Sequence, residues 1–416
     1  MLLGRAQRMA GAALLTGVAL YAGAPVAAAD DLREEQWANT YFKLDQVWQV
    51  TKGEGVVVAV IDSGVDAGHP DLTGQVLPGY DPSGKGLNTS PADPHGTSMA
   101  SLIAGHGHGA GGADGVVGIA PGVKILPIYK DDARGYDAVP EDIRWAVDHG
   151  AKVINISLGG KDGASRSLSL AVAYAVKHDV LIVAAAGNEG EARVLSPADS
   201  PGVLAVSAVD RGLDIWAESS FGPQIMLAAP GVGIVAAGAC DEQKYCLGEG
   251  TSDATAYVSG AAALVRAKYP DLTAGQVADR LVKSALVTPS LQGAHLPDQR
   301  FGYGILRPLE ALTQQIPAGP ADGPLARPVA ATAPAGSRTT ASGSGTTGSP
   351  AAGSPPAGLL LLAVPALIAL LLSRRLRRRN AAAAAALPYP PPPFPYQAPP
   401  GAAPYETPSQ DPHPTG

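Results

Sequence analysis

The stretch that decides the fold reads Gly-Thr-Ser-Asp-Ala-Thr-Ala-Tyr-Val-Ser-Gly at residues 250–260, and a helix-like apolar run at residues 261–268 follows it. A short glycine-bounded turn of this kind delivers Ser252 to the start of a long helix. Backbone N–H groups and the helix dipole stabilise negative charge at that position. The stretch therefore predicts a nucleophilic serine, which needs a neighbouring base and a group that orients the base.

Both partners of the serine occur upstream. Asp62 ends an apolar run at residues 56–61, and His95 opens the motif His-Gly-Thr-Ser-Met-Ala. Asn188 lies in Ala-Ala-Ala-Gly-Asn-Glu-Gly, directly after another apolar run. In the predicted site Ser252 is the nucleophile, and His95 is the general base and then the general acid. Asp62 fixes the tautomer of the His95 imidazole and stabilises its positive charge. Asn188 would donate a hydrogen bond to the oxyanion.

The order Asp, His, Asn, Ser in these motifs resembles the subtilisin-like serine proteases, or subtilases, over roughly residues 45–315. The short region before Asp62, the Gly-Thr-Ser-Asp-Ala-Thr variant and the C-terminal apolar segment resemble one branch, the mycosins. These are membrane-anchored proteases of actinobacterial type VII secretion systems. The resemblance implies a serine endopeptidase that cleaves polypeptides, needs no cofactor, and has a type VII secretion membrane complex as partner.

The resemblance also places substrate binding in two segments. The backbone of one segment would pair with an extended peptide; it comprises Ser157, Leu158, Gly159 and Gly160. The other segment would form a pocket wall; it comprises Ala184, Ala185, Ala186 and Gly187. Strand addition of this kind gives affinity with little side-chain selection, and the small alanines indicate an open pocket.

Asp253 and Ala256 depart from the family pattern, which usually has a bulky apolar residue and a proline at these two positions. Asp253 has two interpretations. A carboxylate facing the cleft would raise the pKa of His95, since a nearby opposite charge favours the protonated form. A carboxylate capping N–H groups of the first helical turn would contribute mainly to stability. We favour the cleft-facing interpretation.

Other motifs could be mistaken for functional sites. Residues 96–98 also read Gly-Thr-Ser, but Ser98 lies early in the chain, before any candidate oxyanion asparagine. His69 lies in a turn that the resemblance makes structural. His106 and His108 lie in a glycine-rich loop without a third ligand, so no metal site is predicted.

Strand-like and helical patterns alternate through the central part of the chain. The strand-like runs are residues 56–61, 124–128, 153–157, 180–184 and 203–208. Such alternation predicts an α/β fold, a subtilisin-like parallel sheet flanked by helices, with the catalytic groups converging at one edge.

Helix-start signals support the same pattern. Pro140 suits the first turn of a helix that extends to residue 149. Thr273 and Gln276 form a capping box before another helix.

The N-terminal region predicts export. Residues 1–29 carry Arg5 and Arg8, an apolar core and small residues before Asp30, which is the pattern of a signal peptide. An uncleaved anchor helix is the alternative. Residues 30–44 form an extension too short to fold alone, and the resemblance suggests an arm that wraps the catalytic domain at residues 45–315.

The C-terminal region predicts a membrane anchor. Residues 316–356 form a Pro/Ala/Gly/Ser/Thr-rich linker, and residues 357–373 form a transmembrane helix. Residues 374–416 are a basic, then Pro-rich, tail, whose five arginines at 374–379 place it in the cytoplasm. The expected location is the cell membrane, with a single span and the protease outside. A buried helix with a basic surface turn is the alternative.

Cysteine content and net charge indicate the state of the two cysteines and the class of ligand that is excluded. Cys240 and Cys246 are the two cysteines of the 416-residue chain, and export makes a disulfide between them the expected state, with two free thiols as the alternative. A net charge of −7 argues against nucleic-acid binding.

Two other functions remain open, a general cell-surface scavenging protease and a structural cap of a secretion complex with dispensable activity.

Overall fold

The computed structural model describes residues 29–131, 134–161, 163, 165–240 and 244–327. The predicted signal peptide up to residue 28, the greater part of the linker, the predicted transmembrane segment and the tail lie outside the described residues. Within the described part, no helix is both long enough and apolar enough to cross a membrane.

Helices and strands alternate along most of the described chain. The helices are α1 Ala29–Glu35, α2 Trp37–Phe42, α3 Leu44–Val50, α4 His95–Ala104, α5 Val139–Asp148, α6 Arg166–Lys177, α7 Thr251–Lys268, α8 Ala274–Lys283 and α9 Pro308–Thr313. The strands are β1 Val57–Asp62, β2 His106–His108, β3 Asp114–Val117, β4 Lys124–Tyr129, β5 Val153–Ile156, β6 Leu181–Ala185, β7 Val203–Val209, β8 Ile225–Pro230, β9 Val232–Ala237 and β10 Tyr245–Glu249.

Six of these strands form one parallel sheet in the order β4-β1-β5-β6-β7-β8. The five predicted strands each appear, with ends within one residue of the predicted ones. The sixth strand, β8, was not predicted, and neither were the antiparallel pairs β2–β3 and β9–β10. The predicted α/β fold with a parallel sheet is confirmed.

Side chains alternate between the two faces of the sheet and fill two cores. On β1, Val58 and Val60 pack into a core that includes α4 and α7 residues. Ala59 and Ile61 pack into the opposite core with residues of α5 and α6. Burial on both faces explains why the strand reads as a continuous apolar run rather than an alternating one.

Local capping signals set helix starts as expected. The Thr273 hydroxyl accepts a hydrogen bond from Gln276 N, and the Gln276 side chain accepts one from Thr273 N, so the predicted capping box forms at α8. Pro140 lies in the first turn of α5. The hydroxyl of Ser165 caps α6 by accepting from Leu168 N at 3.2 Å.

The N-terminal helices α1, α2 and α3 pack against the rest of the described chain. Gln36 is 3% exposed, and its side-chain amide donates to Val117 O at 3.0 Å while its carbonyl accepts from Val117 N at 3.0 Å. The Trp37 indole donates to Val232 O at 3.1 Å. Phe42 lies edge-on against Tyr257 of α7, with ring centroids 5.0 Å apart. This segment is therefore part of the core.

Cys240 and Cys246 form a disulfide, with Cα atoms 5.1 Å apart. The bridge joins Cys240, three residues after the end of β9, to Cys246 of β10, the strand that leads into residues 250–260. The predicted pairing is present in the structure.

Candidate active site

The four candidate catalytic residues meet at the edge of the sheet where parallel strands end. Asp62 is the last residue of β1, and His95 is the first residue of α4. Asn188 follows the end of β6, and Ser252 is the second residue of α7. In open α/β folds, ligands bind at this carboxyl edge.

His95 and Asp62 form a hydrogen-bonded pair. His95 Nδ1 lies 2.8 Å from Asp62 Oδ1, and the same carboxylate oxygen accepts from Ser63 N at 2.7 Å. The Asp62 side chain is 3% exposed, whereas that of His95 is 43% exposed. The charge on Asp62 raises the pKa of His95, with smaller contributions in the same direction from Asp253 and Asp93. In the neutral imidazole, the hydrogen bond to the Asp62 carboxylate keeps the proton on Nδ1, so Nε2 is the nitrogen available as a base.

Ser252 lies inside the first turn of α7 rather than in the preceding turn. Its Oγ donates to Ser157 O at 3.0 Å, and Ser157 Oγ donates to Ser252 O at 3.1 Å. No hydrogen bond joins the Ser252 hydroxyl to His95 among the described residues. Rotation of the Ser252 χ1 angle to another staggered well would release Ser157 and redirect Oγ.

Thr251 orients the Asn188 side chain. Asn188 Oδ1 accepts from Thr251 N at 2.9 Å and from Thr251 Oγ1 at 2.8 Å. Because the backbone N–H can only donate, the atom facing it must be the amide oxygen, and Nδ2 is left to donate elsewhere. Thr251 Oγ1 also accepts from Gly187 N at 3.2 Å. Gly250 leaves room for the amide, since a Cβ there would lie 3.1 Å from Asn188 Nδ2.

Asp253 is 5% exposed, one residue after the nucleophile. A Cβ added at Gly248 of β10 would lie 3.3 Å from each Asp253 carboxylate oxygen, so a side chain there would crowd the carboxylate. Burial raises the pKa of Asp253 to about 7, and the attraction to His95 opposes this shift. The attraction to His95 is what the cleft-facing interpretation requires, and a hydrogen bond from the backbone N–H of Asp253 itself, which also opposes the rise in the pKa, is what the capping interpretation requires.

The two predicted substrate segments flank the nucleophile. Residues 157–160 begin at Ser157, which contacts Ser252, and residues 184–187 end next to Asn188. Within the second segment, Ala184 and Ala186 are fully buried and pack in the α5–α6 core, so they support the wall from behind.

Leu195, which the sequence analysis did not single out, lies between the two segments. A Cβ on Gly159 would lie 2.8 Å from Leu195 Cβ, and a Cβ on Gly187 would lie 2.7 Å from Leu195 Cγ. Leu195 therefore packs against a glycine of each segment. Nothing local marks this residue, because its role depends on contacts with residues distant in sequence. Thr251, in contrast, is adjacent to the nucleophile and could have been found by asking what orients Asn188.

The motifs set aside in the sequence analysis have structural partners. Ser98 is buried within α4, and its Oγ donates to Ala237 O at 2.8 Å. His108 Nδ1 lies 2.6 Å from Asp71 Oδ1, and His106 Nε2 lies 3.0 Å from Thr73 O.

His69 Nε2 lies 3.1 Å from Lys244 O, and His69 Nδ1 accepts from Asp71 N at 3.3 Å. The part of the chain that the structure describes contains no group of three or more His, Cys, Asp or Glu residues able to hold a metal ion.

Comparison with known proteins gives a consistent result. Residues 53–304 match the Subtilase family of peptidases. Fervidolysin from Fervidobacterium pennivorans is 33% identical over 323 residues, which is 69% of this chain and 45% of fervidolysin, so the chain spans less than half of that relative.

Two solved structures are similar over most of their length. MycP1 from the ESX-1 type VII secretion system is 30% identical with a TM-score of 0.60, covering 72% of this chain and 91% of MycP1. MycP3 protease from the type VII (ESX-3) secretion system is 34% identical with a TM-score of 0.56, covering 67% of this chain and 88% of MycP3. The predicted resemblance to subtilases, and among them to mycosins, is confirmed, and the chain belongs to the subtilase family.

Proposed function

We propose that the protein is a serine endopeptidase that hydrolyses peptide bonds with Ser252, His95 and Asp62. The observation that carries this proposal is the 2.8 Å hydrogen bond between His95 Nδ1 and the buried Asp62 carboxylate, at the sheet edge where α7 begins with Ser252 in its first turn. The bond fixes the tautomer in which Nε2 is unprotonated, which is the form that accepts a proton.

In the proposed reaction, Ser252 Oγ attacks the carbonyl carbon of the substrate while His95 Nε2 takes the hydroxyl proton. Asn188 Nδ2 donates to the oxygen that becomes negative, and the N-terminal end of α7 adds favourable dipole charge. His95 then gives its proton to the leaving amine. Water repeats the sequence on the acyl-enzyme and regenerates Ser252.

The in vitro test compares Ser252→Ala with Ser98→Ala on a peptide substrate. Both serines follow Gly-Thr, both lie in the first half of a helix, and only Ser252 is proposed to react. Ser252→Ala should lower kcat by about 10⁴-fold or more, as expected when the nucleophile of a triad is lost. Ser98→Ala should keep kcat near the wild-type value. Equal activity of Ser252→Ala and wild type would refute the proposed function.

We further propose that the protease is held at the outer side of the cell membrane and serves type VII secretion. The signal-like N-terminus, the apolar run at residues 357–373 and the arginines at 374–379 support the orientation. The similarity to MycP1 and MycP3 supports the secretion role. Protease added to intact protoplasts should release the domain upstream of residue 357 and spare the tail, whereas digestion of the tail would reverse the topology.

A secretion assay separates the proposed roles in the cell. It compares deletion of the gene, complementation with wild type, and complementation with Ser252→Ala. If the inactive protein fails to restore secretion, proteolytic activity is required for type VII secretion. If it restores secretion fully, the protein acts as a structural cap. If deletion leaves secretion unchanged, a general scavenging protease is the better description.

A further inference from the structure

A fully buried polar side chain lies in the middle of the parallel sheet. Asn155 is the third residue of β5, which lies between β1 and β6. Its partners in these two strands are Val60 and Val183, and both valines pack in the core that includes α4 and α7 residues. Asn155 is 0% exposed. Burying an amide among apolar side chains costs free energy unless its oxygen and its nitrogen are both hydrogen-bonded.

Two serines supply these hydrogen bonds. Ser259 of α7 is also fully buried, and its Oγ donates to Asn155 Oδ1 at 2.9 Å. On the other side of the amide, Asn155 Nδ2 donates to Ser157 Oγ at 3.0 Å. The amide therefore connects a serine in the middle of α7 to a serine directly after β5.

The hydrogen bonds continue to the nucleophile and run in one direction. Ser157 Oγ donates to Ser252 O at 3.1 Å. Because a carbonyl can only accept and a hydroxyl has a single hydrogen, Ser157 Oγ must accept from the amide. The atom of Asn155 that faces Ser157 is therefore Nδ2, and Oδ1 faces the hydroxyl of Ser259. Hydrogen bonds that follow one another in this way polarise and strengthen each other.

The series of hydrogen bonds begins and ends on the same helix. Ser252 and Ser259 are seven residues apart in α7, which is about two helical turns, so they lie on one face of the helix. Asn155 and Ser157 are two residues apart and lie on one face of the extended chain. The hydrogen bonds therefore hold α7 against β5 in the turn that carries the nucleophile and again two turns later.

The position of Ser252 depends on the Ser157 side chain. Ser157 accepts the Ser252 hydroxyl on its carbonyl, at 3.0 Å, and holds the Ser252 carbonyl with its own hydroxyl. Without the amide of Asn155, the Ser157 hydroxyl would be free to turn to another staggered well and release Ser252 O. The first turn of α7 would then be less restrained relative to His95 and Asn188. A misplacement of about 1 Å between reacting groups can lower a rate by about 10²-fold.

We propose that Ser259 is a positioning residue which, through Asn155 and Ser157, fixes the backbone of the nucleophile Ser252. The inference rests on the proposed endopeptidase function and adds to it a residue that does not touch the substrate. Ser259 lies about two turns along α7 from the reacting atoms and is fully buried. A substitution there changes the reaction through this series of hydrogen bonds.

The test measures kcat and KM of the full chain on one peptide, and the rate at which methanesulfonyl fluoride inactivates it. Ser252 Oγ attacks the sulfur of this reagent and fluoride leaves. Because the reagent carries only a methyl group, it makes few contacts with the substrate segments, and its rate reports on the nucleophile. Ser259→Ala should lower kcat and the inactivation rate by about three- to tenfold, the effect of one hydrogen bond. KM should stay within about twofold of the wild-type value.

A double-mutant cycle shows whether the effect passes through Ser157. In a chain that already carries Ser157→Ala, Ser259→Ala should lower kcat by less than about 1.5-fold, because the side chain on which it acts is gone. Thr255→Val is the matched control. It removes another buried hydroxyl of α7, one that donates to Thr251 O at 2.7 Å within the helix, and kcat should stay within about twofold of wild type.

Folding is controlled with a second variant. Ser259→Ala leaves Asn155 Oδ1 buried without a donor, so each rate is expressed per folded protein, as measured by circular dichroism at the assay temperature. Asn155→Val combined with Ser259→Ala replaces both partners of that hydrogen bond with apolar groups and should preserve the fold. Ser157 Oγ still lacks its donor in the combined variant, so kcat and the inactivation rate should fall as in Ser259→Ala.

The possible results separate the two proposals. Wild-type kcat and inactivation rate in the folded combined variant overturn the positioning role of Ser259 and leave the endopeptidase function standing. An equal loss from Ser259→Ala with and without Ser157→Ala, a loss confined to KM, or a loss of kcat at an unchanged inactivation rate overturns it as well. Hydrolysis that survives in Ser252→Ala, or no hydrolysis of any peptide by wild type, refutes the proposed function, and the positioning role falls with it.

Discussion

Replacing Thr251 by valine should weaken catalysis without touching the nucleophile, the base or the oxyanion donor. Thr251 is fully buried, and valine has nearly the same shape. The change removes the 2.8 Å hydrogen bond from Oγ1 to Asn188 Oδ1 and keeps the 2.9 Å bond from the backbone N–H. It also removes the hydroxyl that accepts from Gly187 N.

The expected magnitudes follow from these contacts. Removing an oxyanion donor completely lowers kcat by about 10²- to 10³-fold. Losing one of the two hydrogen bonds that orient Asn188, about 1 kcal/mol, should lower kcat by about five- to tenfold. KM should change little, because the amide acts mainly on the charge that develops in the transition state. The unpaired N–H of Gly187 should lower the free energy of unfolding by about 1–3 kcal/mol.

The assay measures kcat and KM on one peptide, with denaturant unfolding of the same preparations. Thr251→Ser keeps the hydroxyl and should retain at least half of kcat. Thr255→Val is the matched control, since that buried hydroxyl donates to Thr251 O within the helix and does not contact Asn188. A wild-type kcat for Thr251→Val, or an equal loss in Thr251→Ser, would refute the argument that this hydroxyl orients the oxyanion donor.

Three further predictions concern charge, the N-terminal arm and the disulfide. Asp253→Asn removes a negative charge that raises the pKa of His95, so the acidic limb of the kcat/KM profile should move to lower pH than in wild type. Superimposable acidic limbs in the variant and wild type, with a lower Tm in the variant, would favour the capping interpretation. Gln36→Leu leaves Val117 N and O unpaired, so the free energy of unfolding measured in urea should fall by about 2–4 kcal/mol while kcat stays unchanged. An unchanged free energy of unfolding would contradict a structural role for the N-terminal segment that contains Gln36. The 240–246 disulfide should be present in the mature protein, so alkylation should add mass only after reduction; thiols that react beforehand would count against it.

Local patterns in the sequence were sufficient to predict most strands of the sheet, the starts of two helices and the candidate catalytic residues. Apolar runs buried on both sheet faces marked five of the six sheet strands, and the capping box marked the start of α8. Asp62 and Asn188 could be placed at the sheet edge because each directly follows a strand-like run, and strand ends share an edge in a parallel sheet. These features depend on residues a few positions apart, which is the range over which a sequence pattern carries information.

Contacts between distant parts of the chain were decided only by the tertiary structure. The strand β8 was missed, and its place at the sheet edge depends on pairing with β7. Thr251 and Asn188 are 63 positions apart, and their hydrogen bonds exist because α7 begins beside the end of β6. Leu195 shows the difference most clearly. Its sequence neighbours predict nothing, yet Leu195 packs against both Gly159 and Gly187, because the close packing of the folded chain brings together residues that are distant in sequence.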